Sequence, residues 1–319
     1  MKIIKSSVQV LPQSPGVIGL KKHIEKLGRI AYMSEDRITD DSYIKFNNML
    51  YNRGHWAVFN SGTVYMNVPL DDKDFIGKLE HRKIKPFVKS EKVGGYLYVT
   101  TNYRVICKLG EEEKMEKYWC EPTENHYHRV TTIWNCSRGI QMELVRHRIM
   151  SFIAESTRYI GYSKNRYGGE LVYIFPEWIY RAQAEIGNTV DPLTGESRKY
   201  VFSLDGEDLI KALSCLDRTV ASRYNIWKAI EDEYIYETTT DEGIKLRPEE
   251  ARGILCNDLK SVVGMTGFVE DFITRPSEDT PEKEGFFYLR CAEDAHPDIQ
   301  VLAKDLEKQF IGLGINKLK

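Results

Sequence analysis

The residues of this chain best suited to chemistry lie in one stretch, Arg146-His147-Arg148-Ile149-Met150-Ser151-Phe152-Ile153-Ala154-Glu155-Ser156-Thr157-Arg158-Tyr159. It offers three guanidinium groups, an imidazole and several small hydroxyls. A guanidinium is always charged and can grip a phosphate with two parallel hydrogen bonds. Ser156, two residues from Arg158, would add a hydroxyl donor at the same anion. Between Arg138 and Arg166 six Lys/Arg stand against two acids, whereas the whole chain carries a net charge of −2. A cationic patch on a slightly acidic protein points to a focused anion site rather than general stickiness. An Arg-rich helix face turned to solvent would leave the same trace.

The elements that must position these groups follow from the apolar spacing. Val145, Ile149, Phe152 and Ile153 recur at helical intervals and predict a half-buried helix carrying the stretch. Glu143, one turn before Arg146, would share its face and could hydrogen-bond a nucleobase or pair with Arg146 or His147. Upstream, Lys2–Leu11 alternates as a strand, and Gly19–Met33 and Asp41–Asn52 have helical spacing. Val64, Met66 and Val68 predict a strand, as do Gly95–Thr101, Thr131–Trp134 and Leu171–Phe175. Residues 70–100 are Lys-rich and read as an excursion before the strand that ends it. The run Tyr162–Gly169 is aromatic and basic, suited either to stacking on a planar ring or to an ordinary Gly-bearing turn. Leu209 to about Thr238 predicts a long helix whose aromatic stripe suits a core or a subunit interface. Arg181–Ser203 and the acidic, two-proline Pro276–Gly285 read as insertions.

At 319 residues and 42% hydrophobic content the chain can bury a large core. Its six cysteines are scattered without a Cys-x-x-Cys pair, which fits neither a zinc ribbon nor a disulfide framework and suits a reducing cytosol. No segment approaches the ~18 apolar residues of a membrane span. A cytoplasmic protein with no membrane association is expected. His126 and His128 would share a face if on a strand, but no third ligand is evident, so surface histidines and no metal are expected. A pI near 6.4 and the absence of a recognised motif argue against nucleic acid as partner.

Arg146-His147-Arg148, then seven residues, then Ser156, with Arg158-Tyr159 beyond, resembles the signature of the flavin-dependent thymidylate synthases. Three further blocks are similar in the same order. Gly54-His55 to Tyr65 looks like the family's flavin-contacting loop and strand, with Asn60-Ser61 where relatives carry Glu-His. Pro248–Leu255 resembles the family's Ala-Arg…Leu-Pro segment, with Cys256 in place of proline. Thr266–Phe272, Leu289-Arg290 and Ala295–Ile299 look like its closing helix pair. The resemblance spans about 1–175 and 217–310 and implies one domain over 1–319, an α/β (α+β) fold with a mixed or antiparallel central sheet flanked by helices.

It also implies reductive methylation of dUMP, with FAD carrying the redox chemistry, NADPH regenerating it and methylene-tetrahydrofolate giving the carbon. Arg290 would then activate the pyrimidine. Glu143, Arg146, Ser156, Thr157, Arg158 and Arg252 would bind the nucleotide, and Thr63, Arg146, His147, Arg148 and Thr274 would hold FAD. Arg252 could instead be a surface ion-pair partner of Glu249 or Asp258, and His55 a structural residue. Relatives are homotetramers with shared sites, so Arg252 and Arg290 are expected to meet the Arg146 helix of another subunit. Ser61, Ala154 and Thr274 depart from the pattern near the flavin and nucleotide. They leave room for a relative that methylates or hydroxymethylates dCMP. A non-catalytic nucleotide- or nucleic-acid-binding module would use the same basic patch.

Overall fold

The computed structural model describes residues 1–158, 160–164, 168–187 and 206–315. Two strands open the chain, β1 (Lys2–Ile4) and β2 (Ser7–Leu11), where the alternation predicts one. Helix α1 (Gly16–Tyr32) buries Leu20, Ile24 and Leu27 completely, as their spacing requires. Helix α2 (Ser42–Asn52) stops before Gly54, which takes a left-handed φ of 70°. Strand β3 (Thr63–Pro69) is followed by α3 (Lys73–Glu80), which Asp72 caps by accepting from the Phe75 amide at 3.1 Å. The charged excursion thus contains a helix and also strand β4 (Lys89–Val93). Strand β5 (Tyr96–Asn102), α4 (Tyr103–Leu109) and α5 (Glu112–Tyr118) follow.

Strand β6 (Arg129–Ser137) runs directly into α6 (Arg138–Leu144), because the Ser137 hydroxyl accepts from the Ile140 amide at 3.2 Å and starts the helix. Then come β7 (Ser151–Ala154), β8 (Val172–Ile174), α7 (Glu177–Gly187), α8 (Gly206–Ser214) and α9 (Arg218–Thr239). The long helix expected from Leu209 is two helices, since the Asp217 carboxylate accepts from Thr219 and Val220 amides at 2.8 and 3.0 Å and begins a new one. The chain continues through α10 (Pro248–Ala251), β9 (Lys260–Phe268), α11 (Val269–Ile273), α12 (Phe286–Arg290) and α13 (Pro297–Gly312). Of the insertion expected at 181–203, Arg181–Gly187 completes α7, and the rest lies outside the described residues, as do Tyr159, Asn165, Arg166 and Tyr167.

The strands form an antiparallel sheet in the order β2-β6-β9-β7, a second antiparallel sheet β3-β5-β4, and a parallel pair β1-β8. The architecture is the mixed α/β one expected, with antiparallel sheets flanked by helices. Two expectations about the motif blocks fail. The Arg146 stretch is not helical: α6 ends at Leu144, a turn follows, and 151–154 pair with β9 in the register Ile153↔Gly264. As a strand, Phe152 and Ile153 point to opposite faces, so Ile153 packs with Leu27 and Ile133 while Phe152 packs with the Trp134 cluster. Val145 and Ile149, predicted to be apolar-stripe residues, are 41% and 69% exposed. Likewise Thr266–Phe268 belong to β9, and only Val269–Ile273 turn into helix.

His126, expected at the surface, is fully buried in the loop before β6, where its Nδ1 lies 3.1 Å from the Thr123 amide and its Nε2 3.3 Å from the Met66 carbonyl. None of the described helices is long and apolar enough to cross a membrane. All six cysteines are free thiols.

Helix α1 lies so close to the sheet that a Cβ on Gly264 would come within 2.1 Å of Leu27 Cδ1. Leu27 is itself fully buried, so it has little space to retreat. Gly264→Ala is expected to destabilise the fold by about 1–3 kcal/mol, the usual cost of overpacking. In chemical denaturation the same substitution made in a Leu27→Ala background should cost much less, the non-additivity locating the clash.

Candidate functional site

Helices α6 and α12, with the turn between α6 and β7, bring three of the expected residues together. Arg290, the last residue of α12, donates its Nε–H to His147 Nε2 at 2.9 Å and lies 3.4 Å from Glu143 Oε2 through Nη1. Glu143 sits near the end of α6 and His147 in the turn, whose tightness is set by the His147 amide donating to Leu144 O at 3.1 Å and the Met150 amide to His147 O at 3.0 Å. Phe286 fills the space beneath: its ring centroid is 4.9 Å from His147 and 5.5 Å from Trp134. Gly285 closes the base of the acidic 276–285 loop, its amide donating to Thr274 O at 2.9 Å, and a Cβ there would meet that oxygen at 2.5 Å. This closure swings α12 back over α6.

Sequence reasoning places Arg290 against the Arg146 region of another subunit; in the structure it contacts its own chain. Glu143 likewise pairs with Arg290, not with Arg146 or His147. Because a guanidinium N–H needs a lone pair, His147 is neutral here, and burial together with the Arg290 charge lowers its pKa to about 4. Arg290 is left with Nη2 N–H groups that have no acceptor among the described residues. The Arg146-His147-Arg148 triplet is therefore split, with His147 turned inward and both arginines exposed. Among the described residues neither arginine is in an ion pair.

The other expected residues lie at separate places on the chain. Ser156, Thr157 and Arg158 form a turn beyond β7, in which the Ser156 hydroxyl accepts from the Arg158 amide at 3.2 Å. That turn is anchored by Glu155, buried beside Lys260 at 3.0 Å and accepting from the Val262 amide at 3.1 Å. Burial pushes the Glu155 carboxyl up despite the lysine. Ser156 lines a shallow pocket of about 350 Å³ with Tyr32, His55 and Ala57, and the Tyr32 hydroxyl lies 2.6 Å from His55 Nδ1. Tyr32 is not identifiable as a site residue in the sequence, where it lies inside the predicted helix Gly19–Met33; in the structure it is the last residue of α1. Arg252 stands exposed on the single turn Arg252–Ile254, and neither carboxylate weighed as its partner takes it: Glu249 pairs with Arg247 and Asp258 with Arg223.

Thr63 and Thr274, expected to contact the flavin, and Ser61, one of the departures from the family pattern, are engaged within the chain. The buried Thr63 hydroxyl accepts from Arg129 Nη1 at 3.3 Å in another cleft altogether. The Ser61 hydroxyl, where relatives carry histidine, donates to Val58 O at 2.6 Å. Thr274 donates to Glu270 O at 2.6 Å, although it shares a cleft of about 690 Å³ with Ile149 of the Arg146 turn. The residues present fit the diphosphate end of a flavin dinucleotide, for which two exposed, unpaired guanidinium groups on one turn are a suitable donor set. They offer less to the ring end.

A titration of the imidazole resonances should place His147 near pH 4. Arg290→Gln should raise that value part of the way to 6.5, since burial, the larger cause, remains. The unfolded chain takes up a proton near pH 6.5 that the folded chain refuses until about 4, so His147 makes the fold lose stability as pH falls through that window. Thermal melts of wild type and His147→Gln between pH 7 and 4 should diverge in that direction.

A comparison with the curated proteins gives no match. Among solved structures the chain is similar to a UMP/dUMP methylase PolB from Streptomyces cacaoi bound with 5-Br dUMP, at 14% identity and a TM-score of 0.37, covering 99% of this chain and 95% of that one. It is also similar to Thymidylate Synthase X from Helicobacter pylori with FAD and dUMP, at 13% identity and a TM-score of 0.30, covering 98% and 99%. The sequence model of the thymidylate synthase complementing proteins matches residues 115–312, from the middle of α5 through α13 and so across Glu143, the Arg146 turn, Arg252 and Arg290. With well over half of its length matched, this chain belongs to the thymidylate synthase complementing protein family.

Proposed function

We propose that the chain is a flavin-dependent thymidylate synthase, converting dUMP to dTMP by reductive methylation with methylene-tetrahydrofolate as carbon donor and NADPH as reductant. The observation that carries this reading is the Arg290–His147 hydrogen bond, which joins two motif blocks 143 residues apart inside the family match. FAD would supply the redox chemistry when bound, with Arg146 and Arg148 holding its diphosphate.

The chain's own residues then divide the remaining work. Arg290, held by His147 and Glu143, would present its free Nη2 N–H groups to the pyrimidine and stabilise negative charge developing on the ring. Its orientation is fixed before substrate arrives, so little reorganisation is needed at the moment of reaction. Ser156, Thr157 and Arg158 would bind the nucleotide phosphate. Arg252 would complete that grip from a neighbouring subunit of a homotetramer. Cysteine attack on the base is not required: Cys136 and Cys107 are buried with thiol pKa values pushed up to about 12, and burial pushes Cys120 and Cys291 up to about 11.

A second reading is favoured by one specific observation. The Ser61 and Thr274 hydroxyls, at two of the three departures from the family pattern, are both engaged with backbone carbonyls. Contacts that relatives make there are therefore missing, which leaves room for a different pyrimidine, such as dCMP, or for hydroxymethyl transfer.

Incubation with dUMP or dCMP, FAD, NADPH and methylene-tetrahydrofolate, followed by mass analysis of the nucleotide, decides between the readings. A product heavier than dUMP by one methylene unit is expected. Modification of dCMP alone would select the second reading, and a colourless protein that modifies neither would reject both. Arg158→Ala should weaken dUMP binding by about 1.5–3 kcal/mol, the worth of a charged hydrogen bond. Arg290→Gln should lower kcat far more than it raises KM, as expected for a contact made mainly in the transition state.

A further inference from the structure

Behind the β2 edge of the main sheet is a second cleft, of about 680 Å³, that contains none of the residues assigned above except Thr63. Its walls come from the end of β2, the start of β6, β3 and the segment after α13, and its polar groups include Arg129, Tyr65, His128 and Glu121 beside the Trp119 indole. The volume is in the range of small-molecule sites.

Arg129 is the unusual member. Its Nη1 donates to Thr63 Oγ1 at 3.3 Å and its Nη2 to Asn60 O at 2.9 Å, both neutral acceptors. Among the described residues it has no ion pair, and its Nε–H has no acceptor. Asp271, the acid whose charge it feels, is shared with Lys89, which also pairs with Glu270. Burial lowers the Arg129 pKa to about 10, so it remains charged at neutral pH. A half-buried cation whose hydrogen-bond acceptors are all neutral, with the Phe268 ring 5.6 Å from its guanidinium carbon and only a shared carboxylate nearby, is normally compensated by something more.

The surroundings say what that would be. The Tyr65 hydroxyl accepts from the Arg129 amide at 3.3 Å and keeps its own proton to donate, burial raising its pKa. His128 is neutral near pH 7, its pKa lowered by burial. Glu121 at the rim is already engaged, accepting from the Gly16 amide at 2.9 Å and Trp119 Nε1 at 3.4 Å. The cleft therefore offers one positive charge, with the single carboxylate of Glu121 held at its rim, which suits a monoanion better than a phosphate dianion. Val10, Leu11 and Pro12 with Trp119 supply an apolar and aromatic wall for a flat ring. We infer that this cleft is a second binding site, separate from the nucleotide site, for a small aromatic monocarboxylate whose carboxylate meets Arg129 and whose ring lies against Trp119.

Fluorine NMR of 4-(trifluoromethyl)benzoate in the presence of the whole protein tests this, with 4-(trifluoromethyl)benzyl alcohol as the uncharged control. Saturable broadening of the benzoate is expected, with the alcohol binding roughly tenfold more weakly or worse. Arg129→Gln should abolish that preference. Should this variant misfold through loss of its carbonyl contacts, Trp119→Ala must weaken benzoate binding while the charge preference is read in the wild type. Equal binding of both probes, no saturable binding, or binding unchanged by Trp119→Ala would overturn the inference. Displacement of benzoate by inorganic phosphate would overturn the ligand class, and displacement by FAD or dUMP would overturn the separateness of the site.

Discussion

Arg290 can donate to His147 only while the imidazole keeps a lone pair, and this constraint runs through the structure. It requires a site dry enough to hold a histidine neutral beside a guanidinium, which Phe286 and the Trp134 cluster provide. It also requires α12 to fold back over α6, which the Gly285–Thr274 closure enforces. A guanidinium fixed on one side by an imidazole and a carboxylate can face a substrate with its remaining N–H groups and with little freedom to lose. Thus the packing of four phenylalanines around α11–α13 (Phe272, Phe286, Phe287 and Phe310) is part of how a charge is aimed.

The same sheet serves two surfaces. At its β7 edge the Arg146 turn leaves Arg146 and Arg148 exposed, while beyond the other end of β7 the Ser156–Arg158 turn is fixed by the buried Glu155–Lys260 pair. At its β2 edge Arg129 occupies a different cleft, held by carbonyl and hydroxyl oxygens. Strand β7 thus sets Arg146 and Arg148 before one of its ends and Arg158 beyond the other, although all three are close in the sequence.

What the sequence determined by itself is the part governed by local rules. The helical spacing of Leu20, Ile24 and Leu27 and the alternation of Val64, Met66 and Val68 are realised as α1 and β3, because each needs only one apolar face. The four motif blocks were legible as residue identities, and the family match covers the three that follow residue 115. What only the tertiary structure decided is which elements those residues stand on and whom they face. Ser151–Ala154 became a strand because β9 offered an open edge of hydrogen bonds, and β9 itself was hidden by Gly264 and Gly267, whose lack of side chain lowers strand propensity while admitting α1 at Gly264 and Met150 and Phe272 at Gly267. The neutrality of His147 and its contact with Arg290 arise from burial and from a loop closure between residues distant in sequence. Spacing along a chain carries no information about either.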